Sequence, residues 1–174
     1  LDRLEATHRS VIAAAYENLA ATNVVHRAIL ALLEPVAFPA FLSALEGPVA
    51  EALRVDSVRL VLESREGGDP ALARLGGVLC VVEPGFAETY AGRGAQGRPV
   101  ILRQAMPETA RVHGEASADI RSEAILRLDL GPGRLPGLLV LGAEDPHKFR
   151  PSQGTDLLAV FASVFERQMR RWLG

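Results

Sequence analysis

The 174-residue chain predicts an α+β fold: an α/β sandwich with a central antiparallel sheet of about five or six strands, helices packed on one side, and a long helix in front. Three features carry that expectation. Proline and glycine are absent up to Pro35, short apolar stretches between Val55 and Ala143 are punctuated by glycine and proline, and the end of the chain has helically spaced apolar residues. At 48% apolar content the chain can build one full core with an appended helix, so it divides into a helix over 1–34 and a domain over 35–174.

In the first segment Leu1, Leu4, His8, Val11, Ala15, Asn18, Thr22, Val25, Ile29 and Leu32 keep coiled-coil spacing over about five repeats. His8, Asn18 and Thr22 interrupt the apolar seam, while Ile12 and Leu19 widen it. Two readings stay open. In one the helix pairs with a second copy through Leu4, Val11, Ala15, Asn18 and Val25; in the other it folds back on its own domain. A kink at Asn23 would separate a free coil from a docked helix.

Past Pro35, Phe38, Phe41, Leu42, Leu45, Val49 and Leu53 share a helical face, interrupted by Gly47-Pro48. VDSVRLVLES (55–64) alternates Val58, Leu60 and Leu62 against Ser57, Arg59 and Val61, as a strand does. EGGDP (66–70) is turn chemistry, and GGVLCVVEPG (76–85) is a short apolar strand with Cys80 as an inward-facing small hydrophobe. A short helix carrying Phe86 and Tyr90 follows, and RPVILR (98–103) forms the next strand. Residues 104–120 read as a polar, weakly helical connection bounded by Pro107 and Gly114 and exposed to solvent.

A hairpin comes next, with strands over 120–130 and 135–143 joined by Gly131-Pro132-Gly133. Alternation sets Ala124, Leu126, Leu128 and Leu130 on the core face and Glu123, Ile125, Arg127 and Asp129 on the other. After a turn at Asp145-Pro146, a terminal helix buries Leu157, Leu158, Phe161, Val164, Phe165, Met169 and Trp172. Ser152 or Thr155 can cap it, and Arg167, Arg170 and Arg171 suit its negative end.

GRGAQG (92–97) has the letters of a dinucleotide fingerprint. That function needs a strand before the glycines and a helix after them, whereas here a helix precedes and a strand follows. The net charge of −2 excludes a global positive field for nucleic acid, and no apolar run approaches the roughly 20 residues that span a bilayer. One cysteine cannot supply a disulfide or a cysteine-rich metal site, and no histidine–carboxylate metal motif occurs. No Ser/His/Asp arrangement can be nominated, since His8 and His26 lie in the long helix and His147 in a turn. The expectation is a non-catalytic protein without cofactor or metal. Beginning at Leu1 with no signal-like pattern, the chain is expected to be a cytoplasmic fragment.

SEAILRLDLGPGRLPGLLVLGAEDPHKFRPSQGTDLLAVFASVFERQM resembles the final hairpin and helix of a GAF domain: a serine-containing strand, a glycine turn, a Gly-Leu-Leu strand and a phenylalanine before the helix. More narrowly, GRPVILR, RSEAILRL, LGAEDPHKFRPSQGTDLL and the long helix together resemble an uncharacterised bacterial family, domain of unknown function 484, across nearly the whole chain. That family carries no established activity to transfer. GAF domains bind cyclic nucleotides, bilins, haem or metabolites, or serve only as dimerisation modules. The Asn-Lys-Phe-Asp-Glu signature of the cyclic-nucleotide branch is missing, and the sulfoxide-reductase branch needs several cysteines. The resemblance therefore implies a homodimeric signalling module, with a small-molecule sensor as the alternative and a protein partner for either. A ligand would sit between the sheet and the 91–120 connection, where Arg103, His113, Arg121 and Ser122 are the polar candidates.

Overall fold

The computed structural model describes residues 2–66, 77–92, 97–150 and 154–174, and all of these except the side chain of Asn18. The expectations resting on Leu1, Gly67 to Pro70, Gly76, Arg93 to Gln96, Ser152 and the Asn18 side chain lie outside the described residues.

Helix α1 runs unbroken over Asp2–Leu33, so Asn23 makes no kink. It stops because Pro35 disfavours helical geometry at the residue before it. Its first five turns are exposed, whereas Val25, Ala28 and Leu32 are buried in the domain's own core. This corrects the seam at Val25, which is only 5% exposed because α1 passes over the domain there. Leu4, Val11 and Ala15 remain exposed.

Helix α2 (Phe38–Ala44) begins with proline in its first turn, where a missing N–H costs nothing. A wide turn over Leu45–Val49 follows, broken at Gly47 (φ −104°, ψ −108°), and α3 (Ala50–Leu53) ends at Arg54 in a left-handed conformation. The expected Gly47-Pro48 interruption is therefore present, and Phe41, Leu42, Leu45, Val49 and Leu53 are all buried.

Five strands follow: β1 (Ser57–Glu63), β2 (Leu79–Val82), β3 (Val100–Gln104), β4 (Ser122–Leu128) and β5 (Gly137–Ala143). They form one sheet in the order β2-β1-β5-β4-β3. The hairpin β4–β5 is antiparallel with Ile125 opposite Val140, and β3 and β1 add antiparallel on either side. Edge strand β2 departs from the expected pattern, running parallel to β1 with Leu60 opposite Leu79. The α+β class and the long first helix are as expected; the sheet is mixed.

Helix α6 (Asp156–Leu173) lies with α1, α2 and α3 over the face formed by Val58, Leu60, Ala124, Leu126, Leu139 and Leu141. Phe41 of α2 stacks on Phe165 of α6 at 5.6 Å between ring centroids, joining the two helices. Thr155 occupies the cap position of α6 without a side-chain hydrogen bond, which corrects its expected capping role. The opposite face is also covered. Phe86, Ala87, Tyr90 and Ala91 of α4 (Phe86–Ala91) and Val112 of α5 (Thr109–His113) pack on Val61, Ile125, Leu138 and Val140. Helices on one side only is thus corrected to α1, α2, α3 and α6, two of them long, on one face and the short α4 and α5 on the other. The unbroken apolar run of β5, buried along its whole length, is what a strand covered on both faces requires.

Gly142 sits opposite Ser57 in the β1–β5 ladder, and a Cβ there would lie 2.8 Å from His113 Cε1 and 3.0 Å from Ile120 Cδ1. Gly142→Ala is expected to cost about 1–3 kcal/mol through overpacking, read as a lowered urea midpoint. An unchanged midpoint would contradict this packing.

Candidate functional site

The short-helix face of the sheet carries a buried polar cluster centred on Glu123. Glu123 and Arg103 are directly opposed in the β3–β4 ladder, so their side chains meet as a cross-strand pair, Arg103 Nε donating to Glu123 Oε1 at 2.8 Å. Tyr90 of α4 donates its hydroxyl to Oε2 at 2.7 Å, and His113 Nε2 reaches the same oxygen at 3.2 Å. The other ring nitrogen of His113 lies 2.7 Å from Ser57 Oγ at the start of β1. Arg103 also donates to the Tyr90 carbonyl at 2.7 Å and stands 4.6 Å above the Tyr90 ring. Arg59 closes the cluster, giving Nη2 to the His113 carbonyl at 3.2 Å.

His113 and Glu123 are fully buried. Burial is the largest influence on the Glu123 carboxyl and pushes it up, but the bonds from His113, Tyr90 and Arg103 and the arginine charge outweigh it and hold the group below the usual carboxylate range. Tyr90 moves the other way: burial first, then the neighbouring carboxylate, raise its phenol far above the ordinary tyrosine range. The cluster is thus an ionised carboxylate held by a guanidinium, a phenol hydroxyl and an imidazole.

Of the four polar residues expected around a ligand, Arg103 and His113 converge here. Ser122 does not: its Oγ donates to the Asp145 carbonyl at 2.6 Å and accepts from Phe149 N at 3.4 Å, fastening the turn before α6. The Arg121 side chain is exposed, its backbone bonded to Ala105 and Ala143. Sequence reasoning missed Glu123, Tyr90 and Ser57. It set Glu123 on the face opposite the core face, yet Ile125 shares that face, and a β-branched apolar neighbour is the signal that the face is covered. The 104–120 connection, expected to be solvated, buries Thr109, Val112 and His113.

Two open clefts flank the cluster. One, of about 430 Å³, is lined by Phe86, Thr89, Tyr90, Met106, Glu108 and Arg111. At its edge Arg111 forms a two-bond pair with Glu83 and lies 4.5 Å from the Phe86 ring. The pair holds the exposed Glu83 carboxyl below its ordinary value. The other, of about 340 Å³, lies at the start of β1 and is lined by Glu46, Asp56, Ser57, Arg59, Gly77 and Ala116. Cys80 is partly buried, its Sγ 3.9 Å from the Arg111 carbonyl, and burial pushes the thiol up, away from thiolate reactivity. Among the described residues no group of three or more metal-ligating side chains forms, and no helix is long and apolar enough to cross a membrane. Gly92 and Gly97 connect α4 to β3, so a helix precedes the glycines and a strand follows, the wrong order for a dinucleotide.

The family model described as "Protein of unknown function, DUF484" matches residues 1–174. The chain belongs to that family. No curated protein matches the sequence. The Glu123 cluster is therefore the best-defined polar feature on which a reading of this DUF484 chain can be built.

Removing the carboxylate leaves the half-buried Arg103 without its counter-charge. Glu123→Ala is expected to destabilise by about 3–5 kcal/mol in urea unfolding at neutral pH. The folded Glu123 carboxyl titrates below its unfolded value of about 4.3. Its contribution is fully present above that value and is lost as pH falls through the folded one. Unfolding free energy followed downward from about pH 4.3 should fall less steeply in Glu123→Gln than in the wild type. Parallel slopes would rule out a depressed Glu123.

Proposed function

We propose that the protein is a homodimeric, GAF-like signalling module in which the projecting half of α1 pairs with a second copy. The observation that carries this reading is the exposure of Leu4 (73%), Val11 (62%), Tyr16 (70%) and Leu19 (58%) on a helix that continues into the core at Val25, Ala28 and Leu32. Leu4, Val11, Val25 and Leu32 fall on one heptad stripe, so the face that packs inside the domain runs on beyond it uncovered. An isolated helical stretch of roughly 20 residues is marginal in water and gains its stability by burying that face. A second copy offers the same stripe and closes the pair symmetrically.

The sensor alternative is favoured less. Arg103 and His113 would have to offer free bonds to a ligand, and both are engaged by Glu123, Arg103 keeping only Nη2 unbonded among the described residues. That internal pairing supports a preformed, packed domain acting through its helix. A cytoplasmic setting and a protein partner acting on the paired helices go with this reading.

Light scattering at micromolar concentration is expected to give twice the chain mass, and Leu4→Asp with Val11→Asp the single-chain mass with reduced helix signal in circular dichroism. A wild-type monomer, or a dimer untouched by the double substitution, would sink the proposal.

A further inference from the structure

Ser57, His113 and Glu123 form a chain of hydrogen bonds with a direction. The Glu123 carboxylate can only accept, so His113 Nε2, 3.2 Å from Oε2, carries a hydrogen. In the neutral ring that leaves the Nδ1 lone pair facing Ser57 Oγ at 2.7 Å, where the hydroxyl hydrogen is the one available donor. Hydroxyl to imidazole to carboxylate is the polarity of an activated nucleophile, its base and the group that orients the base, here with the two ring nitrogens in exchanged roles. The elements hold it rigidly: Ser57 opens β1, Glu123 lies in β4 with Arg103 and Tyr90 on its two oxygens, and His113 packs on Gly142.

Access follows the same direction. His113 and Glu123 are fully buried, whereas Ser57, whose Oγ faces His113 Nδ1, retains 7% exposure and lines the 340 Å³ cleft. Arg59 lies two residues along the same strand face, anchored by Nη2 on the His113 carbonyl, and its buried Nε has no hydrogen-bond partner among the described residues. A fixed guanidinium with an unspent donor beside a nucleophile suits an oxygen that becomes negative during attack on a carbonyl. The cleft is at the small end of ligand sites, and Glu46 and Asp56 on its wall repel anions, which selects small uncharged acyl compounds.

We propose that Ser57 is an activated nucleophile and that this cleft hydrolyses small neutral carboxylic esters, an activity beyond the dimerisation reading and independent of it. Ser57 Oγ bonds to the ester carbonyl carbon while its hydrogen passes to His113 Nδ1. The bond from that carbon to the alcohol oxygen breaks, and the departing oxygen takes the hydrogen from Nδ1. Water then repeats the attack, its proton passing through Nδ1 to Ser57 Oγ, and the products are one carboxylic acid and one alcohol. Ser57 and His113 are the catalytic residues and Glu123 a positioning residue.

The test is labelling of the full chain with a fluorophosphonate, read by intact mass and peptide mapping, alongside hydrolysis of p-nitrophenyl acetate. One adduct on Ser57 is expected in the wild type, none there in Ser57→Ala, and labelling slowed at least about a hundredfold in His113→Gln. Glu123→Gln is expected to move the pH profile of labelling, which a purely structural glutamate would not do. A folded wild-type protein that takes no label, takes it on another residue, or hydrolyses the ester no faster than Ser57→Ala overturns the proposal. Labelling of the wild type needs no substitution, so a variant that fails to fold leaves the test decisive.

Discussion

A carboxylate taken out of water costs several kcal/mol unless its lone pairs are filled, and Glu123 meets that demand with donors from three other elements. Arg103 brings β3, Tyr90 brings α4 and His113 brings α5, while Ser57 extends the chain of bonds to β1. Helices of five or six residues such as α4 and α5 have no stability of their own. They stay on the sheet because each supplies both apolar contact and a bond to one buried charge. Glu63 adds a second tie, accepting from Gly85 N and Ala87 N, each at 2.9 Å, at the start of α4. The short-helix face is therefore organised by polar atoms, and the long-helix face by leucine and phenylalanine.

Helix α1 belongs to both the core and the surface. Over Val25, Ala28 and Leu32 it packs on α2, α3 and α6; before Ala21 the described side chains of the same helix are exposed. The division arises from length, because 32 residues at about 1.5 Å each extend beyond the domain they cover. A cooperative helix passes without interruption from one environment to the other.

The sequence made long periodic elements legible. Both α1 and α6 announced themselves by spacing over many turns, and the β4–β5 hairpin by alternation around Gly131-Pro132-Gly133. What stayed hidden depends on contacts distant in the chain. Ser57 and His113 meet across 56 residues, and no local period signals that. Glu123 was set apart from the core because alternation tells which residues share a face, and not whether that face is covered. Val25 fits a coiled-coil seam and a folded-back helix equally well, and only the position of the sheet decides between them. The parallel pairing of β2 escaped for the same reason, since a four-residue apolar strand carries no direction.

Whether residues 4–19 form half of an interface between two copies is read most directly by amide hydrogen exchange followed against protein concentration. Pairing predicts slow exchange through this part of α1 at high concentration and its loss on dilution, while amides around Ala28 and Leu32 stay protected throughout. Fast exchange before Ala21 at every concentration, with protection confined to the buried end of the helix, would contradict it.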